Sequence, residues 1–200
     1  TDVKVLIIDD TVEIKIGKYI QGSCRNIWSN KDHRTVKGLN IVSLNYSDSH
    51  TDMMLDFSIN YNKNQTININ ENSFHHKSNA YKRRIEGNDG KNILALEMVN
   101  RVLKYGIYGD YLLVDSWYAK PDFINTVQAN GLDVIARVAN NPRIWQFTGK
   151  YRTLEILYNN SKQNKVSKLG NYNSIKYSYV STITTHKTLG KIKIVFIKTK

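Results

Sequence analysis

Apolar and polar residues alternate with a period of two over the first third of this chain, and that spacing predicts β-strands. Positions 3–9 form an apolar run typical of a buried strand, and the alternation continues over 11–20 as a further strand or hairpin. Two more strands are predicted within 32–48 and 51–62, joined by a polar turn. The polar stretch 62–91 has few large apolar residues, so we expect a long loop with marginal structure there.

The spacing becomes helical in the middle of the chain, where large apolar residues recur every three or four positions: Ile93, Leu96, Val99 and Leu103, backed by Met98 and Val102. Gly106 suits the end of this helix, and a strand is predicted next, over 110–115. A second helix is predicted from near Pro121 to Gly131, because proline favours a first turn and glycine a stop. A strand at 132–138 completes a helix–strand–helix–strand order, which favours parallel strands.

The C-terminal part, from Asn140 onward, predicts a β-rich region with one short helix at 153–158. Alternating strands are predicted at 175–186 and 191–199, around a turn. Three antiparallel strands followed by an α-β-α-β order, with the first strand central, correspond to the ribonuclease H-like arrangement. We therefore predict an α/β fold with a ribonuclease H-like mixed sheet, flanking helices and a β-rich insertion.

Two of the predicted strands end in aspartates: Asp9 and Asp10 after the first, and Asp115 after the strand at 110–115. In α/β sheets functional groups gather at this edge, and carboxylate oxygens suit Mg²⁺ or Mn²⁺. Two such ions, about 4 Å apart, activate a water or hydroxyl and stabilise the leaving oxygen in phosphodiester cleavage. Alternation leaves the choice between Asp9 and Asp10 open, because both fall in apolar rows. An aspartate after a strand also commonly forms a turn or caps a helix.

The net charge of the chain indicates which class of partner it binds. A net charge of +12 favours a polyanionic partner, and nucleic acid is the commonest one. A lysine- and asparagine-rich composition can also reflect the base composition of the gene. A single cysteine, Cys24, excludes an internal disulfide and favours a cytoplasmic location. No apolar run approaches the roughly 20 residues of a membrane-spanning helix, so we expect no membrane partner.

The opening VKVLIIDDT also resembles a response-regulator receiver, in which adjacent acids bind Mg²⁺. A receiver requires a helix directly after its acidic pair, whereas 11–20 alternates like a strand. The strand-end aspartate that a receiver also needs has no match, because Asp56 lies inside an apolar segment. The sequence therefore argues against this reading.

The segments LIIDDT (6–11) and LLVDSWY (112–118), in this order and spacing, resemble the DDE transposases of bacterial insertion sequences. The most similar group has a β-rich insertion between the second Asp and the Glu, and the resemblance covers roughly 3–200. It implies a catalytic domain that cleaves transposon ends and joins them to target DNA with two Mg²⁺ ions. It also implies Asp10 as the first acid, because the family's aspartate precedes a Thr or similar residue, and Asp115 as the second.

The third acid of that family is a Glu on a helix beyond the insertion. Glu155 follows Asp115 at a spacing close to that of integrases that lack an insertion, but clear strands still come after it, so we interpret it as a solvated residue of a short helix. The chain starts without a methionine and ends in a strand-like run. We therefore predict a partial catalytic core at 1–139 and an insertion subdomain at 140–200, truncated at its C-terminus and inactive for lack of the Glu.

Basic and aromatic residues are the candidates for DNA contact: Lys77, Lys82, Arg83, Arg84, Trp117, Arg143, Lys150 and Arg152. A solvated surface is the alternative for the basic residues. Trp117 and its neighbour Tyr118 could stack on an unpaired base, and packing against the sheet edge is the alternative for both.

Three hypotheses follow. The first is a transposase catalytic-domain fragment acting on transposon ends and target DNA, with a homodimer of the complete enzyme as one arrangement. The second is a non-catalytic DNA-binding remnant or regulator of transposition. The third is another ribonuclease H-like nuclease that completes its metal site with Glu155.

Overall fold

The computed structural model describes residues 2–17, 20, 22–61, 75–138, 145–147, 149–164, 168–172 and 174–199. The chain divides into two compact units, Thr1–Arg137 and Val138–Lys200. The first unit carries the strand-end aspartates and the second carries Glu155. The assignment of these parts as a catalytic core and an insertion stays a prediction.

The first unit is built on a six-stranded sheet with the spatial order β2-β3-β1-β5-β6, in which β4 also pairs with β3. Its strands are β1 (Val5–Ile14), β2 (Cys24–Ser29), β3 (Arg34–Ser47), β4 (Asp52–Asn60), β5 (Tyr111–Val114) and β6 (Asp133–Ala136). Its helices are α1 (Asn79–Glu86), α2 (Lys91–Lys104) and α3 (Pro121–Ala129).

The pairing of the strands is mixed. The first strand, β1, is antiparallel to β3 and parallel to β5, and β5 is parallel to β6. The flanking strands β2 and β4 both pair with β3 in antiparallel fashion. The predicted ribonuclease H-like α/β fold, with parallel strands in its second half and the first strand central, is confirmed.

Three local predictions need correction. The first strand continues without a break to Ile14, because β3 pairs with it along its whole length. The glycine at Gly38 permits this, since a side chain there would collide with the carbonyl oxygen of Glu13. A strand that the alternation did not reveal, β2, lies between β1 and β3 in the chain. The polar stretch 62–91 contains α1 in its second half, and its part at 62–74 lies outside the described residues.

The hydrophobic core of this unit lies on one face of the sheet. Alternate residues of the strands point into it, and α2 covers them with the buried side chains Leu94, Ala95, Met98, Val99 and Val102. Burying a side chain of this size contributes about 1.5–3 kcal/mol. The predicted helical period is confirmed, but its phase is shifted, because Ile93 is 51% exposed while Leu94 is buried.

The predicted helix ends are also confirmed. Gly106 has a φ of 77° directly after the last turn of α2, and Gly131 has a φ of 81° after α3. Glycine adopts this left-handed region without the steric cost that a side chain brings. Pro121 occupies the first turn of α3, where no backbone donor is needed.

The second unit contains a five-stranded sheet with the order β11-β10-β7-β8, in which β9 pairs with β10. Its elements are β7 (Trp145–Phe147), β8 (Lys150–Arg152), α4 (Leu154–Asn164), β9 (Lys168–Tyr172), β10 (Ile175–His186) and β11 (Gly190–Thr199). All its strand pairs are antiparallel. The predicted short helix extends further than expected, to Asn164, and Leu157 anchors it by packing with Ile194 in a small core.

Hydropathy gives one further finding. No helix in the described parts of the chain has both the length and the apolar character that a bilayer crossing requires.

Candidate active site

The parallel pairing of β1 with β5 sets the position of the candidate site. Ile8 is the partner of Val114 in this register, so the residues that follow each of them emerge at the same carboxyl edge of the sheet. Asp115 comes directly after β5, which ends there, while β1 continues beside β3 alone. The edge of β1 that faces β5 is therefore open at the level of Asp10.

The structure distinguishes the two adjacent aspartates. Leu6 and Ile8 are buried under the helices, and Asp10 shares their face of β1 because side chains alternate along a strand. Its side chain is 21% exposed. Asp9 points to the opposite face and is exposed, and its carboxylate accepts a hydrogen bond from the Asp10 backbone N–H at 2.9 Å. This placement supports Asp10, whose role as a metal ligand stays a prediction.

Two side chains bind the Asp10 carboxylate. The Lys91 ammonium, from the first residue of α2, lies 2.5 Å from Oδ2. The Tyr118 hydroxyl donates to Oδ1 at 3.5 Å, a long hydrogen bond. These two contacts hold the carboxylate from the helix side and from the loop after β5.

Tyr118 reports on the charges around the site. Its ring is fully buried and packs against Phe123, with the ring centroids 6.0 Å apart. Burial raises the pKa of its hydroxyl far above the usual value, and the negative charges of Asp10, Asp115 and Asp9 raise it further. The Tyr118 hydroxyl therefore lies in the combined field of all three carboxylates.

Asp115 is exposed at the edge of the sheet. Its Oδ1 accepts a hydrogen bond from the Trp117 backbone N–H at 2.8 Å, which makes it a turn former as well as a candidate ligand. The Trp117 ring that follows is 56% exposed, whereas Tyr118 is buried. The packing alternative thus describes Tyr118, while the role of the more exposed Trp117 ring stays a prediction.

The donor set fits a divalent cation in part. Asp10 and Asp115 would offer hard carboxylate oxygens, and the contact from Lys91 shows that Asp10 is balanced by a positive charge. Over the described ranges, however, no group of three or more His, Cys, Asp or Glu side chains is placed to hold a metal. The pair would hold an ion only with further oxygen ligands.

The basic residues predicted for DNA contact separate into different environments. In the first unit, Lys77 and Lys82 are exposed. The Arg83 guanidinium donates to Asp56 Oδ1 at 2.6 Å and to Glu86 Oε1 at 2.8 Å. Arg84 donates to the Ala80 carbonyl at 2.9 Å. A role of these residues in binding DNA stays a prediction.

The ion pairs of Arg83 belong to a larger network that sequence reasoning missed. Asp56, on β4, is only 8% exposed and also accepts a hydrogen bond from Arg101 Nε at 2.8 Å. Arg101 in turn donates to Glu86 at 3.0 Å. The network joins β4, α1 and α2, and since its members are far apart in the chain, no local pattern could reveal it.

The remaining candidates lie in or beside the second unit. Lys150 is exposed and Arg152 half-buried, both on β8, while Arg143 lies outside the described residues. Glu155 is exposed in the first turn of α4, where a negative charge favours the helix dipole.

Lys91 is the residue at this site that the sequence analysis did not single out. One signal could have found it. The first turn of α2 has no acidic residue and begins with a lysine. A positive charge is unfavourable at this end of the helix dipole, so a lysine there indicates a negative partner elsewhere in the fold.

Comparison with protein families supports this arrangement. A family model described as DDE superfamily endonuclease matches residues 1–153. The chain belongs to the DDE superfamily endonucleases. The predicted resemblance is confirmed at this level, and the matched part of the endonuclease includes Asp10 and Asp115 and ends before Glu155.

Endonucleases of this superfamily act on DNA and generally use divalent metals. No curated protein gives a significant match to this endonuclease chain.

Proposed function

We propose that this chain is part of the catalytic domain of a DDE transposase, which cleaves phosphodiester bonds at transposon ends and joins them to target DNA. The observation that carries the proposal is the parallel register of β1 and β5, which brings Asp10 and Asp115 to one edge of the sheet. A nuclease family match and a net charge of +12 support it.

Asp10 and Asp115 are the residues that would hold Mg²⁺ or Mn²⁺, with two ions in the complete enzyme. When bound, such ions activate the attacking oxygen and stabilise the leaving one. The chain's own contribution is to orient the carboxylates. Tyr118 fixes Asp10 through its hydroxyl, and the backbone N–H of Trp117 fixes Asp115. Each contact stabilises a carboxylate that other negative charges at the site would repel.

DNA binding would use the exposed cations and the Trp117 ring. Two ammonium groups lie over this ring, with Lys91 Nζ at 5.6 Å and Lys120 Nζ at 5.4 Å from its centroid. An exposed aromatic ring flanked by cations suits an unpaired base and its phosphates. Lys77, Lys82, Lys150 and Arg152 would add contacts to the backbone, which would make affinity fall with salt.

The site still lacks the third carboxylate that the family resemblance implies, within the residues that the structure describes. Because no third acid joins Asp10 and Asp115 within the described ranges, we propose that this chain binds metal and DNA without completing cleavage. The same observation favours the second candidate, a non-catalytic DNA-binding regulator of transposition. We propose a cytoplasmic location and a homodimer for the complete enzyme.

Three measurements on the chain test this proposal: Mn²⁺ binding by calorimetry, binding of a DNA duplex with Ca²⁺ present, and nicking of supercoiled plasmid with Mg²⁺ or Mn²⁺. We expect metal binding that is lost in Asp10→Asn and in Asp115→Asn, and DNA binding that weakens with salt. Wild-type nicking that disappears in Glu155→Gln would instead establish the nuclease alternative. DNA binding without any metal binding would establish the non-catalytic one.

A further inference from the structure

Lys91 occupies an unusual position between the two halves of the candidate site. It is the first residue of α2, and its ammonium reaches 2.5 Å from Asp10 Oδ2 on the central strand. The two side chains are only 20% and 21% exposed. Partial burial weakens the solvent screening of this pair, so the contact is stronger than a surface ion pair.

The location of Lys91 does not serve its own helix. The positive end of the helix dipole is at the N-terminus, and α2 has no acidic residue in its first turn to offset it. A lysine there raises the free energy of the helix, and its ion pair with the Asp10 carboxylate compensates this cost. The charge is therefore placed for Asp10.

The same ammonium has a second partner within reach. Its Nζ lies 5.6 Å from the centroid of the Trp117 ring, which is exposed beside Asp115. A lysine stem has four rotatable carbons, so the ammonium can leave Asp10 and stay over this ring, facing solvent. A DNA phosphate approaching the Asp10–Asp115 edge would meet it there.

A divalent cation bound to Asp10 would meet the Lys91 ammonium, which lies at Oδ2, while the Tyr118 hydroxyl lies at Oδ1. The cation and the ammonium need the same carboxylate, and like charges at this distance repel in a partly desolvated site. We propose that Lys91 competes with the divalent cation for Asp10, and that metal binding releases its ammonium to the phosphate backbone of DNA. Lys91 thereby couples metal binding to DNA binding. This inference rests on the proposed function.

The coupling is measured with Lys91→Gln, which removes the charge and keeps most of the stem, on the whole chain. Mn²⁺ affinity without DNA should rise about 5- to 10-fold in Lys91→Gln, a size typical of coupling between sites. Without metal, Lys91→Gln should bind a DNA duplex somewhat more weakly than wild type, because one cation beside the Trp117 ring is lost. With Ca²⁺ present, wild type should gain affinity for DNA and Lys91→Gln should gain less.

Two control variants accompany it. Lys120→Gln removes the other cation over the Trp117 ring. Among the residues that the structure describes, the Lys120 ammonium forms no ion pair with Asp10, so this variant should leave Mn²⁺ affinity unchanged. Lys91→Arg keeps the charge and should bind Mn²⁺ as wild type does. Thermal melting without metal shows whether each variant is folded. If Lys91→Gln does not fold, the comparison of Lys91→Arg with wild type is the test.

The outcomes separate the two claims. Equal or weaker Mn²⁺ binding by Lys91→Gln, with Asp10→Asn unable to bind, would overturn the competition and leave the metal site intact. If Lys91→Gln does not fold, stronger Mn²⁺ binding by Lys91→Arg than by wild type would overturn it. Mn²⁺ binding that Asp10→Asn and Asp115→Asn do not affect would overturn the proposed function, and the inference with it.

Discussion

Ile8 lies directly opposite Val114 in the parallel pairing of β1 with β5. This single register brings two aspartates that are distant in the chain to one edge of a sheet, where β5 ends and β1 continues. A cation and an aromatic ring lie beside these aspartates: Lys91 contacts Asp10, and Trp117 follows Asp115 in the chain. The arrangement suits a substrate that carries negative charge and planar bases.

The first prediction compares the adjacent aspartates. Asp10→Asn should lower Mn²⁺ affinity at least about tenfold, because carboxylate charge sets the affinity of an oxygen site. Asp9→Asn is the matched control, since Asp9 lies on the opposite face of β1, and it should bind Mn²⁺ within about threefold of wild type. Calorimetry checks both, and the reverse order would assign the site to Asp9.

The second prediction concerns Tyr118 at alkaline pH. Its folded-state pKa is raised above the unfolded value of about 10, so the unfolded chain loses this proton first. The stability linked to Tyr118 is therefore fully present below about pH 10 and is lost as pH rises above it, by up to about 1.4 kcal/mol per pH unit. Tyr118→Phe should flatten this loss in urea unfolding between pH 8 and 11.

Two other tyrosines affect how the alkaline unfolding of Tyr118→Phe is interpreted. Burial also raises the pKa of Tyr61, so part of the alkaline slope should remain in Tyr118→Phe. Tyr105→Phe, which alters a ring that is 83% exposed, is the matched control. A slope as steep in Tyr118→Phe as in wild type would contradict the burial of this hydroxyl among carboxylates.

The third prediction concerns His186 at the end of β10. Burial lowers the pKa of this imidazole, and its Nδ1 accepts backbone N–H groups of Thr188 and Leu189 at 3.1 Å each. The unfolded chain takes up the proton first, so this stability is present above about pH 6.5 and is lost as pH falls below it. Amide hydrogen exchange at Thr188 and Leu189 should accelerate between pH 7 and 5, after correction for intrinsic rates.

The matched variants for His186 separate titration from structure. His186→Asn keeps an acceptor near the Nδ1 position and cannot be protonated, so its protection should not change over this pH range. His50→Asn alters an exposed histidine and should behave as wild type at these amides. Equal acceleration in wild type and His186→Asn would show that another group opens the turn.

The fourth prediction concerns the Asp56 network. Arg101→Met removes one partner of a carboxylate that is 8% exposed and should lower the free energy of unfolding by about 3 kcal/mol. Glu97→Gln removes only the exposed pair with Arg101 at 3.8 Å and should change it by less than about 0.5 kcal/mol. Urea unfolding of both variants checks this, and equal losses would contradict a structural role for the buried pair.

Local pattern predicted the elements that have a strong period. The helix α2, the strands β3, β5, β6, β10 and β11, and the glycine stops were all foreseen, because period and capping chemistry are local properties. The helix α1 was missed because its eight residues are mostly polar, although Ser78 caps it locally, and Arg83 also joins it to Asp56 on β4. Such a long-range ion pair has no local signature.

By itself, the sequence determined that aspartates follow two apolar strands in a strongly basic chain, and that helices and strands alternate over 92–138. Its alternation could not decide between Asp9 and Asp10, because both alternating rows of β1 are apolar, and the choice of Asp10 came from the family resemblance alone. The tertiary structure distinguishes the two by covering one row with α2, which places Asp10 beside Lys91 and Tyr118, while its role as a metal ligand stays a prediction. Which face of a strand is covered depends on packing between distant segments, and no local pattern contains that information.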